Sequence, residues 1–510
     1  MKPIALTKPS FLDVSSQSRS LIYFIVFFSG LIGPLGFAPF HMPGITLLSI
    51  AVFYFALLDA SLKQSLRLAF VFGLGFFGLG VSWVIVSIHD YGQINYVLAA
   101  IITLIFIMYL SLFPVLVALC FKSLQSKGRL VPALTFSALW CLSEYSRAHF
   151  MTGFPWLLLG TTQIDTPLRY LAPVFGIYGL SLSCIFASTL LALAVREHAN
   201  KGGYLLMGFV LLIISPALLK SIHWTNIKQE PITVAAVQGN LSMRDKWDEA
   251  LFWSLLKYYE QATIKLLGNR LIILPESAIP LPANYLQDYL SNLHEKTLKA
   301  NSALILGILQ PTDESETHYY NAINAFGHAK GQHLKTHLVP FGEYIPAPFT
   351  AINRWFNLPD PNVLPGKANQ ALIHIFNHPI ASLICYETAY PNLLRNQLPQ
   401  AEWIVSISDN GWFGHSLASY QQLQMSQMLS LLVGRFQVVV NNDGLSSVLD
   451  TQGNILEGLP AFSSGILQNV IFPATGSTPW VLWNDYPVLI FCAIWVLFVT
   501  SRRICHGDKQ

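Results

Sequence analysis

The chain contains six cysteines, Cys120, Cys141, Cys184, Cys385, Cys492 and Cys505. Four lie in or beside long apolar stretches and Cys505 sits in the C-terminal tail, so Cys385 is the one thiol in the polar middle of the sequence. Compartments outside the cytoplasm oxidise paired thiols, yet Cys385 has no partner within its own region. Such a thiol is either a buried apolar filler or a reactive group. The segment Ile380-Ala-Ser-Leu-Ile-Cys-Tyr-Glu387 reads as a strand that ends at the cysteine, and reactive groups in α/β sheets collect beyond the carboxyl ends of strands. Leu271-Ile-Ile-Leu-Pro-Glu276 repeats this design with a carboxylate at the end. A solvated helix cap is the plainer alternative for Glu276, with which Pro275 and Ser277 also agree. Lys335 stands between hydrophobic residues in His333-Leu-Lys-Thr-His-Leu-Val-Pro-Phe-Gly-Glu343; a surface position is its plainer reading. Converging from separate strand ends, the three could run acyl chemistry. The carboxylate would take the thiol proton and the cation would favour the thiolate. The ammonium, with the backbone N–H after the nucleophile, would hold an oxyanion.

The elements that must position these groups are legible in outline. Short β-branched runs recur at Ile232–Val237, Leu271–Leu274, Ala303–Leu309, Ala322–Phe326, Ala371–Phe376, Ile380–Ile384, Trp403–Ile407 and Val438–Val440, with helical stretches at 246–268, 283–300, 390–398 and 418–433. That alternation is an α/β pattern of one domain's size. The Pro-rich segment 340–366 reads as a lid or binding loop.

The rest of the 510 residues is of another kind. The whole chain is 53% hydrophobic and only 11% charged, with mean hydropathy +0.47, which excludes disorder and argues against a wholly soluble protein. Residues 225–475 carry 14 Lys+Arg against 19 Asp+Glu, while the remainder carries 16 against 8. A bilayer core needs about 20 mostly apolar residues per helix. Eight stretches qualify: 20–40, 43–60, 66–89, 93–121, 130–147, 170–195, 204–220 and 480–501, the fifth being weakest because Glu144 and Arg147 end it. The polar leader reads as an uncleaved start to the first span. The leader, the loops at 61–67, 122–129 and 196–201, and the tail hold 13 Lys or Arg; the opposite short loops hold Arg147 and Arg169. This places both termini in the cytoplasm and 221–479 outside. Expected domains are a seven-span membrane part (1–222), an outer α/β domain (223–475), and a last span with its tail (476–510).

Several classes are disfavoured. No Lys/Arg cluster suits nucleic acid. Gly73-Leu-Gly-Phe-Phe-Gly78 imitates a dinucleotide fingerprint inside an apolar span, where close helix packing is the better account. His328, His333 and His337 fit no closed zinc pattern, so neither metal nor cofactor is expected. A transporter with a sensory outer domain would bury ionisable groups at span centres, whereas Asp59, Asp90, Glu144 and Asp165 lie near span ends.

Leu-Pro-Glu276-Ser-Ala, Lys335 eight residues before Glu343 in Leu-Val-Pro-Phe-Gly-Glu-Tyr, and Ile-Cys385-Tyr-Glu resemble the nitrilase (carbon–nitrogen hydrolase) superfamily. Phe77–Ile88, Thr152-Gly-Phe-Pro-Trp-Leu157 and Ser408-Asp-Asn-Gly-Trp-Phe-Gly414 narrow the resemblance to the apolipoprotein N-acyltransferase family over nearly the whole chain. Gly411 departs from the Ala expected before Trp412. The resemblance implies a polytopic α-helical membrane protein of about eight spans carrying a nitrilase-like αββα sandwich. It implies Cys385 as nucleophile, Glu276 as general base and Lys335 as oxyanion stabiliser. Glu343 would hold Lys335, Tyr386 and Glu387 would flank the nucleophile, and Phe341 and Trp412 would line the entrance. Its implied setting is the bacterial inner membrane, with the catalytic domain in the periplasm. Its implied partners are a phospholipid donor, phosphatidylethanolamine being the first choice, and a diacylglyceryl-apolipoprotein acceptor, with the enzyme acting as a monomer. A membrane-tethered amidase or nitrilase using the same triad stands as the alternative, distinguishable by ammonia release from small amides.

Overall fold

The computed structural model describes residues 16–507 apart from 93, 125, 127, 198, 247, 313–317 and 351–361. Lys2, Lys8, Lys127 and Lys509 of the charge count, and the centre of the Pro-rich segment, lie outside the described residues.

Helices occupy all eight apolar stretches: Ser16–Ile32, Pro43–Leu58, Leu62–Gly80, Tyr96–Ser123, Leu130–His149, Ala172–Arg196, Ala199–Ile214 and Tyr486–Gly507. Among the described residues, five segments combine the length and hydropathy of a membrane span, while Ser20–Gly36 and Pro43–Leu58 are apolar but shorter. On Tyr96–Ser123, Ile101, Leu104, Ile105, Met108, Leu112, Leu116 and Leu119 are exposed at helical spacing, and Ala99, Thr103, Ile107 and Leu110 face inward. A continuous exposed apolar stripe of this kind suits lipid rather than water. Gly73 and Gly75 act as small-residue packing sites. A Cβ on Gly73 would meet Ser111 Cα at 2.8 Å, and one on Gly75 would meet Phe27 O at 2.3 Å, so three helices approach closely where only glycine fits.

The expected span 66–89 is corrected by the structure. Its helix stops at Gly80, and after a turn the chain continues only as the short helical segments Val84–Val86 and Ser87–Tyr91. These segments pack on the α/β domain instead: Trp83 lies 5.0 Å from Phe413 between ring centroids, and Ser87 Oγ donates to Trp412 O at 2.8 Å.

Among the described residues, the α/β part is a sandwich of two seven-stranded sheets. In the first, Ile232–Gln238, Leu271–Ile273 and Ala303–Pro311 run parallel, flanked by antiparallel Gly465–Ile471 and Tyr319–Gly327. In the second, His378–Ile384, Trp403–Ser408 and Gln437–Asn441 run parallel. The inner faces form one core, with Val234, Ala236, Ile273 and Ile305 against Ile380, Ile384, Val405 and Val438. Central parallel strands are buried on both faces, and Leu271–Ile273 and Trp403–Ser408 are buried at every residue. Helices Phe252–Leu266 and Gln287–Lys299 cover the first sheet. The helix expected over 246–268 is split: Lys246 ends the short helix Met243–Lys246, and the long helix begins at Phe252. Helix Ala418–Val433 covers the second sheet, and the same apolar cluster continues into the membrane helices through Ala138, Leu180 and Cys492.

Candidate active site

Three strand ends meet at one buried polar cluster. Leu271–Ile273 delivers Glu276, His378–Ile384 delivers Cys385, and Trp403–Ser408 delivers Asp409. Lys335 follows the short strand Gln332–Leu334, its N–H donating to Asn321 O at 2.8 Å. Gly307 makes room for the base: a Cβ there would meet Glu276 Cα and Pro275 O, each at 2.6 Å.

The carboxylate of Glu276 is almost fully enclosed. Its Oε1 accepts from Asn321 Nδ2 at 2.7 Å and from Lys335 Nζ at 3.3 Å, and its Oε2 accepts from the Asp409 N–H at 2.8 Å. Burial raises its pKa, Lys335 pulls it down, and Glu343 and Asp409 push it up again. Lys335 Nζ also donates to Glu343 Oε1 at 2.8 Å. Burial opposes the ammonium, but the charges of Glu276 and Glu343 outweigh it and raise its pKa, so it stays charged. Glu343 is fixed in turn, its Oε2 accepting from the Val339 N–H at 2.8 Å.

Cys385 is 4% exposed and sits at φ 52°, a left-handed conformation unusual for a residue with a Cβ. Burial raises the thiol pKa well above its usual value, Glu276 adds to this and Lys335 works against it. The resting site therefore holds a neutral thiol beside a carboxylate–ammonium pair, with proton transfer deferred until a substrate arrives.

Tyr386 and Glu387 follow the nucleophile in the turn Cys385–Ala389. The Glu387 carboxylate accepts from Thr336, His337 and Ile384 N–H groups and from His333 Nε2. Burial alone would raise its pKa, but these donors hold it at about 2. Tyr386 stacks on Trp156 (centroids 6.3 Å apart, 13° between planes) and accepts a bond from Tyr390 Oη at 3.2 Å. Phe341 and Trp412 are the exposed members of the predicted set, at 59% and 44%. Trp412 packs edge-on to Tyr91, and Phe341 to Phe349. His328 stacks on Phe376, His333 bonds Glu387, and the His337 ring lies 3.7 Å from the Tyr390 ring between centroids.

The Carbon-nitrogen hydrolase profile matches residues 233–477, and the Apolipoprotein N-acyltransferase N-terminal domain profile matches 29–190. Apolipoprotein N-acyltransferase of Pseudomonas syringae pv. tomato is 35% identical over 90% of this chain and 92% of its own length. The protein of that name from Coxiella burnetii is 36% identical over 92% and 98%. The chain belongs to the apolipoprotein N-acyltransferase family.

In this family member, groups that sequence reasoning left unassigned complete the site. Lys246, buried at 1% exposure, pairs with Asp409 and donates to Glu276 O at 3.0 Å. Asp409 Oδ1 also accepts from Asn442 Nδ2 at 3.2 Å. Asn321 bonds both Glu276 and Glu343. Lys246 opens a stretch that reads as an ordinary helix, and nothing in its spacing marks it. Asp409 lies within the quoted Ser408–Gly414 motif, which was the available signal. The membrane part contributes too. Arg147 donates to Phe154 O at 2.9 Å, to Trp156 O, and to Leu157 O at 3.3 Å. Trp156 Nε1 then donates to Gln421 Oε1 at 2.6 Å on the helix covering the second sheet.

Proposed function

We propose that this protein transfers an acyl chain from a phospholipid, through a thioester on Cys385, to the free α-amine of a diacylglyceryl-cysteine at a lipoprotein N-terminus. The observation that carries this is the enclosed Glu276–Lys335–Cys385 cluster, packed through Tyr386 and Trp156 directly on a membrane-domain loop.

In the first half-reaction Glu276 takes the Cys385 proton as sulfur attacks the sn-1 ester carbonyl. Lys335 and the Tyr386 N–H stabilise the oxyanion. The C–O bond breaks, the lysophospholipid oxygen receives the proton from Glu276, and the thioester remains. In the second half the acceptor amine attacks, Glu276 takes its proton, and sulfur leaves to be reprotonated, giving an amide. A free α-amine has a pKa of about 8, so the base faces little demand. No step needs a metal or cofactor. Lifting an acyl chain from a bilayer costs about 0.8 kcal/mol per exposed CH₂, and a thiol at the level of the headgroups avoids that cost. Phosphatidylethanolamine is the proposed donor, Phe341 and Trp412 the entrance, and the working unit a monomer. The charge asymmetry of the loops supports a periplasmic 223–475 domain with 1–222 and 476–510 in and behind the inner membrane. The full-length similarity to named N-acyltransferases disfavours the amidase alternative.

The test is intact mass after incubation with phosphatidylethanolamine and no acceptor. One added acyl mass on Cys385, absent in Cys385→Ala, is expected. A protein that completes turnover yet never carries acyl mass would overturn the two-step scheme.

A further inference from the structure

Helix Ala418–Val433 carries three buried glutamines with different targets. Gln421 Nε2 donates to Gly80 O at 3.2 Å and Gln424 Oε1 accepts from the Ala38 N–H at 3.1 Å, both tying the helix to the membrane part. Gln422 points the other way. Its Nε2 donates to the carbonyl oxygen of Cys385 at 2.9 Å and to Ser408 Oγ at 3.3 Å. A carbonyl oxygen only accepts, so the amide must present its NH₂ group there.

The Cys385 carbonyl belongs to the same peptide unit as the Tyr386 N–H. The unit is trans, so the two groups point in opposite directions across one rigid plane. Gripping the oxygen therefore sets the direction of the N–H. Tyr386 stands in the first turn of Cys385–Ala389, where N–H groups have no partner within the turn. Cys385 is left-handed at φ 52°, and the Gln422 amide is a hold on its peptide from outside the turn. We infer that Gln422 is a positioning residue for the oxyanion site: it holds the Cys385–Tyr386 peptide so that the Tyr386 N–H is aimed at the carbonyl oxygen of the ester under attack. This rests on the proposed thioester chemistry at Cys385.

The consequence separates two reactions of the same sulfur. Ester attack develops an oxyanion; alkylation by a haloacetamide does not. In full-length Gln422→Met, which keeps side-chain length and loses the donor, thioester formation from phosphatidylethanolamine should fall on the order of 10²-fold, as for loss of one oxyanion donor, while alkylation of Cys385 stays within about twofold of wild type. Equal losses in both reactions would mark a general packing role, and unchanged thioester formation would remove any role; either overturns the inference. Gln422→Glu supplies an independent readout. A protonated carboxyl can donate to the Cys385 carbonyl and a carboxylate cannot, so the deficit relative to wild type should shrink as pH falls. A deficit constant with pH overturns the inference as well. Absence of acyl mass on wild-type Cys385 would instead defeat the thioester reading itself.

Discussion

The carboxylate of Glu387, two residues after the nucleophile, accepts from both the backbone N–H and the hydroxyl of Thr336, the residue after Lys335, at 2.7 Å each. One buried side chain thus joins the cysteine turn to the lysine segment. With its pKa held at about 2 against an ordinary 4.5, Glu387 binds its proton more weakly when folded than when unfolded. Its stabilisation is then present above pH 4.5 and is lost as pH falls from 4.5 towards 2. The upper bound is about 3 kcal/mol. Glu387→Gln should lower the unfolding temperature at pH 7, and the gap from wild type should narrow in scans below pH 4.5. A gap independent of pH would show that charge is not what Glu387 contributes.

Glu343 separates from Glu276 by the sign of a pH effect. A base must be deprotonated, and burial places the acid limb of activity above the usual glutamate range. The Glu343 charge raises the Glu276 pKa further, so Glu343→Gln should move the acid limb of kcat/KM to lower pH. It should also cost less activity than Glu276→Gln, since Lys335 keeps its contact with Glu276. A limb that moves upward, or equal losses in the two variants, would contradict the assignment of Glu276 as base.

Lys246 and Asp409 form a fully buried pair at the back of the base. Removing one partner of such a pair strands a charge and typically costs about 3–5 kcal/mol. Lys246→Met should therefore destabilise the protein more than the double variant Lys246→Met/Asp409→Asn, in which no charge is stranded. Unfolding temperatures of the two singles and the double give the coupling directly, and additive losses would show that the pair does not act as a unit.

These residues also show which parts of the design a sequence can reveal. Cys385 and Glu276 follow short runs of buried, mostly apolar residues, so their strands and their position at strand ends follow from local pattern. Helix 418–433 was legible to the residue. The hidden parts depend on contacts across the chain. Lys246 reaches Asp409 over 163 positions and Gln422 reaches Cys385 over 37, and no local periodicity encodes either. The strands Gly465–Ile471 and Ile455–Gly458 were missed for a related reason: they are partly or wholly exposed edge elements without a continuous apolar run. The end of the third helix at Gly80 was hidden because apolar residues after it pack on the α/β domain, as Trp83 does on Phe413, and composition alone cannot tell that from lipid.

Glu144 and Arg147, the two charges that weakened the fifth span, are accounted for by the same logic. An ionisable pair inside an apolar helix suggests a transport path, but here both side chains are spent on one loop. Arg147 gathers three carbonyls between Phe154 and Leu157, and Glu144 Oε1 accepts from the Leu159 N–H at 2.9 Å. That loop carries Trp156 against Tyr386, so the charges shape the membrane side of the nucleophile turn. The guanidinium fork meets several carbonyls at once, which a single ammonium cannot do. Arg147→Lys should therefore lose most of the activity that Arg147→Met loses, on the order of tenfold or more for the loss of two charge-assisted bonds. Glu144→Gln, whose amide oxygen still accepts from Leu159, should lose less. Turnover of a diacylglyceryl-peptide acceptor by the three variants in detergent measures this ordering, and full activity in Arg147→Lys would show that only the charge, and not the shape of the loop, is required.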